Sequence, residues 1–148
     1  MPPKPDNRPL HVVLVEDNPG DVLLMREALK PRFPEVELWV QQDGEQMMQW
    51  IDRLDSGETP CPDVPDVILL DLNLPLVTGE EVLQRLSRSP VCRDVPTVVV
   101  TSSDSPRDRD ATARLGVNRY FRKPTDYDEF MKLGDLVGAL VASRKAAS

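Results

Sequence analysis

Residues 67–75 read Val-Ile-Leu-Leu-Asp-Leu-Asn-Leu-Pro, and the predicted fold follows from this stretch. Its first four residues form a continuous apolar run, which is typical of a strand that a parallel sheet buries on both faces. Residues 10–15 and 97–100 have nearly the same character. Because helices cover both faces of such a sheet, the pattern predicts an α/β domain.

Predicted strands and helices alternate along the whole chain. The strands are expected at Leu10–Val15, Val36–Val40, Val67–Leu70, Thr97–Val100 and Arg119–Phe121. Each following interval holds a capping residue three positions before an acid or an amide, which is a helix-start signal. These capping residues are Asn18, Asp43, Thr78, Ser105 and Asp126. The alternation predicts a doubly wound sheet of five parallel strands with five helices. Such a sheet can take the flavodoxin-like strand order 2-1-3-4-5, and we expect this order here by analogy with known proteins of that fold.

The chain has 148 residues, which suits one domain with a well-formed core. We predict this domain at residues 10–142, after a disordered lead-in at 1–9 and before a frayed tail at 143–148. The proline-rich segment 59–65 is predicted to be a loop. Because the tail directly follows the last predicted helix, no output domain is expected.

Composition narrows the classes of partner. The net charge of −7 disfavours nucleic acid, since binding a polyanion depends on Lys and Arg. No apolar run approaches the roughly 18 residues that a membrane span needs, and the first nine residues lack the apolar core of a signal peptide. We therefore expect a cytoplasmic protein with no membrane contact, in which Cys61 and Cys92 are free thiols.

Polar side chains follow four of the predicted strands at the point where each strand ends. Glu16 and Asp17 follow the first strand, Asp71 the third, Thr101 the fourth and Lys123 the fifth. The carboxyl ends of parallel strands lie at one edge of the sheet, so we expect these side chains to be close together. Three neighbouring carboxylates suggest a bound cation, and oxygen ligands without His or Cys favour Mg²⁺.

This constellation suggests phosphoryl chemistry. Asp71 can attack phosphorus to form an acyl phosphate, while Lys123 offsets the charge on the transferred group and the Thr101 hydroxyl donates to it. Each residue also has a structural interpretation: Asp17 and Thr101 could cap turns or helices, and Lys123 could be a solvated loop charge. The coincidence of all of them at one sheet edge favours the functional interpretation.

Four segments resemble the receiver domains of response regulators: Val13–Asn18, Leu69–Pro75, Val99–Ser102 and Lys123–Pro124. The resemblance covers about residues 10–140. It implies that Asp71 is the phosphoacceptor and that Thr101 and Lys123 contact the phosphoryl group. It further implies Mg²⁺ bound by Asp17, Asp71 and the backbone carbonyl of Asn73, with Glu16 acting through water.

The resemblance also implies features around the site. Tyr120 corresponds to the aromatic switch position, whose ring turns inward as the hydroxyl residue, here Thr101, moves toward the phosphate. The peptide bond between Lys123 and Pro124 corresponds to one that is commonly cis in the family. The segment 76–79, Leu-Val-Thr-Gly, departs from the Met-Asp-Gly turn of many receivers, which could alter contacts with a partner kinase.

Some segments are similar to those of stand-alone receivers paired with bacterial phytochrome histidine kinases: residues 18–21, 56–65 and 89–96. This similarity implies a phytochrome kinase as phosphodonor. His11, the one histidine of the chain, opens a strand and is predicted to be structural, so the donor must be another protein. A phosphate sink or a relay intermediate remains an alternative to a final messenger.

The last predicted helix has an unusually wide apolar arc, because Leu133, Leu136 and Leu140 extend it beyond the face that a core requires. We predict that these leucines belong to a symmetric homodimer interface through helix 4, strand 5 and helix 5. The alternative is that strand 5 and a neighbouring helix cover them.

Three other functions are less consistent with the residues. A phosphatase with an aspartate nucleophile needs a second Asp two residues on as general acid, where this chain has Asn73. A flavin or dinucleotide binder needs a phosphate-binding loop after the first strand, where Glu16 and Asp17 would repel phosphate. A degenerate receiver that acts by binding alone is disfavoured because each matched active-site position is filled.

Overall fold

The computed structural model describes residues 8–58 and 64–147. Its elements alternate as predicted: β1 His11–Val15, α1 Pro19–Leu29, β2 Glu37–Gln41, α2 Gly44–Ser56, β3 Val67–Leu70, α3 Gly79–Arg88, β4 Thr97–Thr101, α4 Pro106–Arg114, β5 Arg119–Arg122 and α5 Tyr127–Ala147. All paired strands are parallel, in the order β2-β1-β3-β4-β5. The flavodoxin-like fold prediction is confirmed.

The helix-start signals are also confirmed. Asn18, Asp43, Thr78 and Ser105 each accept hydrogen bonds from backbone N–H groups of the first turn that follows. Asp126 likewise accepts from the N–H of Glu129 at the start of α5. These side chains satisfy N–H groups that have no partner within the helix, which is why the helices begin where they do.

Two apolar layers enclose the sheet, because successive residues of each strand point to opposite faces. Val13, Val15, Ile68 and Leu70 pack on one face with the apolar residues of α2 and α3. The intervening strand residues pack on the other face with α1 and α5: Val12, Leu14, Val67 and Leu69. Both faces are therefore covered, as the apolar runs required.

Some sequence-based boundaries need correction. β2 begins and ends one residue later than predicted, and the last helix extends to Ala147. The frayed tail predicted for 143–148 is therefore wrong as far as Ala147, since Arg, Lys and Ala in this segment favour helix. Most of the predicted lead-in at 1–9 and of the loop at 59–65, including Cys61, lies outside the described residues.

The predicted dimer face on α5 is wrong for two of its three leucines. Leu133 is fully buried and Leu140 nearly so, in the core layer that α5 shares with α1, and Leu136 is half-buried. α1 can approach closely because Gly134 has no side chain: a Cβ there would lie 2.0 Å from the Ala28 carbonyl oxygen. The wide apolar arc therefore serves the core.

Within the described residues, every helix is too short or too polar to cross a membrane.

Gly134→Ala should destabilise the protein. The added methyl group must force α1 and α5 apart, which we expect to lower the free energy of unfolding by about 1–3 kcal/mol despite the better helix propensity of alanine. Urea denaturation measures the difference. Gly138→Ala is the matched control, because its Cβ would meet the mobile end of the Arg32 side chain. Equal losses in the two variants would contradict the close α1–α5 contact.

Candidate functional site

The residues predicted at the strand ends lie at one edge of the sheet. Carboxylate oxygens of Glu16, Asp17 and Asp71 all lie within 4.8 Å of one another. β1 and β3 are hydrogen-bonded neighbours, with Val15 paired to Leu70, so the acids that follow these strands become adjacent. The cluster arises directly from strand order and register.

Lys123 connects this cluster to the far side of the sheet edge. Its ammonium Nζ lies 2.7 Å from Asp21 Oδ2, 2.8 Å from Glu16 Oε1 and 3.2 Å from Asp71 Oδ2. The Lys123 side chain is 11% exposed, and those of Glu16 and Asp71 are 1% and 6% exposed. Buried charges need such partners, and here one cation is shared among three anions.

Lys123 reaches these acids without the cis peptide bond that the family resemblance implied. The described residues contain no cis peptide, so the expectation for Lys123–Pro124 is wrong in this structure. The trans form is intrinsically favoured, and the long lysine side chain spans the distance from it. The backbone N–H of Lys123 also donates to the Thr101 carbonyl at 2.7 Å, which fixes the start of this segment on β4.

Burial and the neighbouring polar groups shift the pKa values of two residues at the site, Glu16 and Lys123. Burial raises the pKa of Glu16 from 4.5 to about 7, with a further rise from the Asp71 charge, while hydrogen bonding from Lys123 works against the increase. Burial disfavours the charged form of Lys123, but hydrogen bonds to Asp21 and Glu16 outweigh it and raise the pKa of the lysine.

The donor set fits a divalent cation that prefers oxygen. Three carboxylates converge, no His or Cys belongs to the cluster, and a buried carboxylate carries a pKa near neutrality. Hard cations such as Mg²⁺ bind oxygen ligands of this kind.

The loop after Asp71 holds this residue closely. The backbone N–H of Asn73 donates to Asp71 Oδ1 at 3.1 Å, and that of Gly79 donates to the Leu72 carbonyl at 3.1 Å. A Cβ on Gly79 would lie 2.4 Å from the Asp71 carbonyl oxygen, so glycine is required for this approach. Leu76, in the segment that departs from the usual turn, has a φ of 71° and is 77% exposed. The loop that follows Asp71 thus presents an apolar side chain to solvent.

Ser103 links Thr101 to Tyr120 through two hydrogen bonds of its backbone. The backbone N–H of Ser103 donates to Thr101 Oγ1 at 3.4 Å, and the Tyr120 hydroxyl donates to the Ser103 carbonyl at 2.8 Å. The Arg109 guanidinium lies 4.3 Å from the centre of the Tyr120 ring. Thr101 itself is fully buried at the end of β4. A movement of the Thr101 hydroxyl would therefore disturb a contact of Tyr120.

Sequence reasoning missed two participants, Asp21 and Ser103. The sequence gives Asp21 as part of a helix-start signal and of the segment 18–21, but not as a partner of Lys123, because that contact crosses 102 positions of the chain. Ser103 acts through its backbone, which carries no residue-specific signal. The sequence offers one indication of the role of Asp21: it is an acid in the first turn of the helix that follows Glu16 and Asp17. It offers none for Ser103.

Comparison with protein-family models matches residues 12–134 to the response regulator receiver domain. The chain belongs to the response regulator receiver family. It is thus a signalling protein rather than a catalytic enzyme, and the phosphatase alternative is not supported.

Several proteins similar to this chain are response regulators, and RcpA and AtBRR among them are phytochrome response regulators. Response regulator Rcp1 from a Synechocystis species is 35% identical over 127 residues, 86% of this chain and 85% of Rcp1. Its Mn²⁺-bound structure has a TM-score of 0.77 at 34% identity, covering 88% of this chain and 93% of that one. The structure of the phosphorylated cyanobacterial phytochrome response regulator RcpA has a TM-score of 0.81 at 29% identity, covering 93% of this chain and 96% of RcpA. The structure of the bacteriophytochrome response regulator AtBRR has a TM-score of 0.69 at 35% identity, covering 88% of this chain and 94% of AtBRR.

Glu16→Gln should change the pH dependence of stability in the metal-free protein. Between pH 4.5 and about 7, folded Glu16 retains a proton that the unfolded chain has lost, so the free energy of unfolding falls as pH rises through this range. Above about pH 7, the free energy of unfolding of Glu16→Gln should be greater than that of the wild type by on the order of 2 kcal/mol. This difference should vanish toward pH 4.5.

Urea denaturation in the presence of a chelator, near pH 5 and near pH 8, measures this effect. Glu45→Gln, at an exposed position in the first turn of α2, is the matched control, and its difference from wild type should be the same at both pH values because it retains Glu16. A Glu16→Gln advantage that is equal at both pH values would contradict a raised pKa of Glu16.

Proposed function

We propose that this receiver accepts a phosphoryl group from a partner histidine kinase on the carboxylate of Asp71, in a reaction that requires Mg²⁺. The observation that carries the proposal is the convergence of Asp71 with Glu16, Asp17 and Lys123 at the carboxyl edge of a receiver-family sheet. The Rcp1 structure with bound Mn²⁺ supports a divalent cation at such a site, and the phosphorylated RcpA structure supports phosphorylation.

In the proposed transfer, a carboxylate oxygen of Asp71 attacks phosphorus while the bond from phosphorus to the donor histidine nitrogen breaks. The product is an acyl phosphate on Asp71. Asp17, Asp71 and the Asn73 carbonyl would hold the cation, with Glu16 acting through water, and bound Mg²⁺ would offset the negative charge of the phosphoryl group and the acids. Lys123, already 3.2 Å from Asp71 Oδ2, supplies the fixed positive charge.

The signal would then pass through Thr101 and Tyr120. When the Thr101 hydroxyl turns to a phosphoryl oxygen, its hydrogen bond from the Ser103 N–H is lost, and the Ser103 carbonyl no longer has a fixed position for the Tyr120 hydroxyl. Phosphorylation would therefore shift the population of Tyr120 conformations and with it the surface of α4 and β5.

A homodimer through α4, β5 and α5 remains part of the proposal. The leucines of α5 no longer support it, because Leu133 and Leu140 are buried in the core. The remaining support is that β5 is an edge strand on which half-buried Tyr120 and Phe121 lie between two exposed arginines.

Asp71→Asn should abolish phosphorylation. Incubation of wild type with Mg²⁺ and acetyl phosphate should give a single phosphoryl adduct in the intact mass, because one carboxylate is positioned to attack. The adduct should be absent from Asp71→Asn and from wild type treated with a chelator. Asp94→Asn, an exposed position at the opposite end of β4, is the control and should be phosphorylated normally. A folded, Mg²⁺-loaded wild type without an adduct would contradict the proposal.

A bacterial phytochrome kinase should be the preferred phosphodonor. We expect faster phosphotransfer from a purified, autophosphorylated bacterial phytochrome than from histidine kinases with other sensor domains, because the phytochrome response regulators RcpA and AtBRR share this chain's fold at 29% and 35% sequence identity. Transfer of radiolabelled phosphate, compared as kcat/KM, measures the preference. Equal rates from both kinds of kinase would contradict the phytochrome assignment.

A further inference from the structure

Asp21 adds a carboxylate to the site that does not belong to the acidic cluster. It lies in the first turn of α1, and its Oδ2 is 2.7 Å from Lys123 Nζ, the shortest of the three contacts that this ammonium makes with carboxylates. The cluster of mutually close carboxylates consists of Glu16, Asp17 and Asp71. Asp21 therefore contacts the lysine from outside the group that would hold a cation.

The ammonium of Lys123 has three N–H groups, and three carboxylates accept from it here. Two of these acceptors have a second role in the proposed reaction. Glu16 and Asp71 belong to the cation-binding cluster, and an oxygen of Asp71 becomes bonded to phosphorus. Asp21 has neither role, so its contact with Lys123 can persist throughout the reaction.

The backbone of Asp21 is well fixed. Asn18 Oδ1 accepts from the N–H of Gly20 at 2.8 Å and from that of Asp21 at 3.1 Å, and Pro19 occupies the first helical turn. A short aspartate side chain on a capped helix end has few alternative positions. The carboxylate is thus held where it meets Lys123, and its side chain is 25% exposed, so water competes only partly for it.

We propose that Asp21 is a positioning residue, which holds the Lys123 ammonium over the phosphorylation site while Glu16 and Asp71 engage the cation and the phosphoryl group. The proposal rests on the phosphoacceptor function proposed above. A fixed ammonium is ready to stabilise charge that develops on the transferred group, whereas an ammonium without Asp21 must be ordered during the reaction.

The test is a double-mutant cycle on the rate of phosphorylation by acetyl phosphate at saturating Mg²⁺. Asp21→Asn keeps the size of the side chain but removes its charge, and we expect a rate about ten-fold below wild type. In a Lys123→Met background, Asp21→Asn should cause no further loss, because a residue that acts only through the lysine has nothing left to position. A general structural role would lower the rate in both backgrounds.

Glu45→Gln is the matched control, since it removes the first-turn acid of α2 and should leave the rate unchanged. Three outcomes would overturn the proposal: an unchanged rate in Asp21→Asn, a similar loss in the Lys123→Met background, or faster phosphorylation, which would mean that Asp21 chiefly repels the phosphoryl group.

A second measurement separates this proposal from the proposed function. In Mg²⁺-loaded, unphosphorylated protein, the Lys123 ammonium should give a slowly exchanging nitrogen-15 NMR signal in wild type and lose it in Asp21→Asn. If wild type accepts no phosphoryl group, the proposed function fails, while this signal still decides whether Asp21 holds the lysine. An equally protected signal in both proteins would overturn the positioning role.

Discussion

The ammonium of Lys123 is the interaction on which the functional edge of the sheet depends. Glu16 and Asp71 are nearly inaccessible to water, and unpaired charges in such positions cost several kcal/mol each, on the order of what stabilises a whole domain. Lys123 compensates both of them and Asp21 as well. The carboxylates of Glu16, Asp17 and Asp71 also lie within 4.8 Å of one another, so this one ammonium faces more negative charge than it carries. The site is thus built with an excess of negative charge, which suits the binding of a divalent cation.

The two-layer packing places these charges. Apolar residues on alternate sides of β1 and β3 fix both strands between helices, so the acids that follow them must emerge at the same edge. α1 brings Asp21 to this edge, and its direction is set by close contact with α5 at Gly134. A change in core packing between α1 and α5 would therefore be felt at Lys123, although no residue of that contact touches the site.

The same physical reasons explain where sequence-based prediction succeeded and where it failed. The parallel sheet and the convergence of Glu16, Asp17, Asp71 and Lys123 could be predicted, because parallel strands share a direction and their carboxyl ends share an edge. The strand order was expected only by analogy with known flavodoxin-like proteins. The prediction that the leucines of α5 form a dimer interface was wrong for Leu133 and Leu140. Helical periodicity gives the width of an apolar arc, but it does not show how many neighbouring elements cover that arc. The peptide bond before Pro124 was expected to be cis from family resemblance, and local sequence does not fix its isomer.

The sequence by itself determined the alternation of strands and helices, the helix starts and the residues at the strand ends, since these depend on local propensity, capping and a period of two or 3.6 residues. Only the tertiary structure decided that Asp21 reaches Lys123, that Ser103 links Thr101 to Tyr120 and that Leu133 and Leu140 are core residues. These relations depend on the angle and distance between elements far apart in the chain. Packing sets those quantities, and no local pattern of residues encodes them.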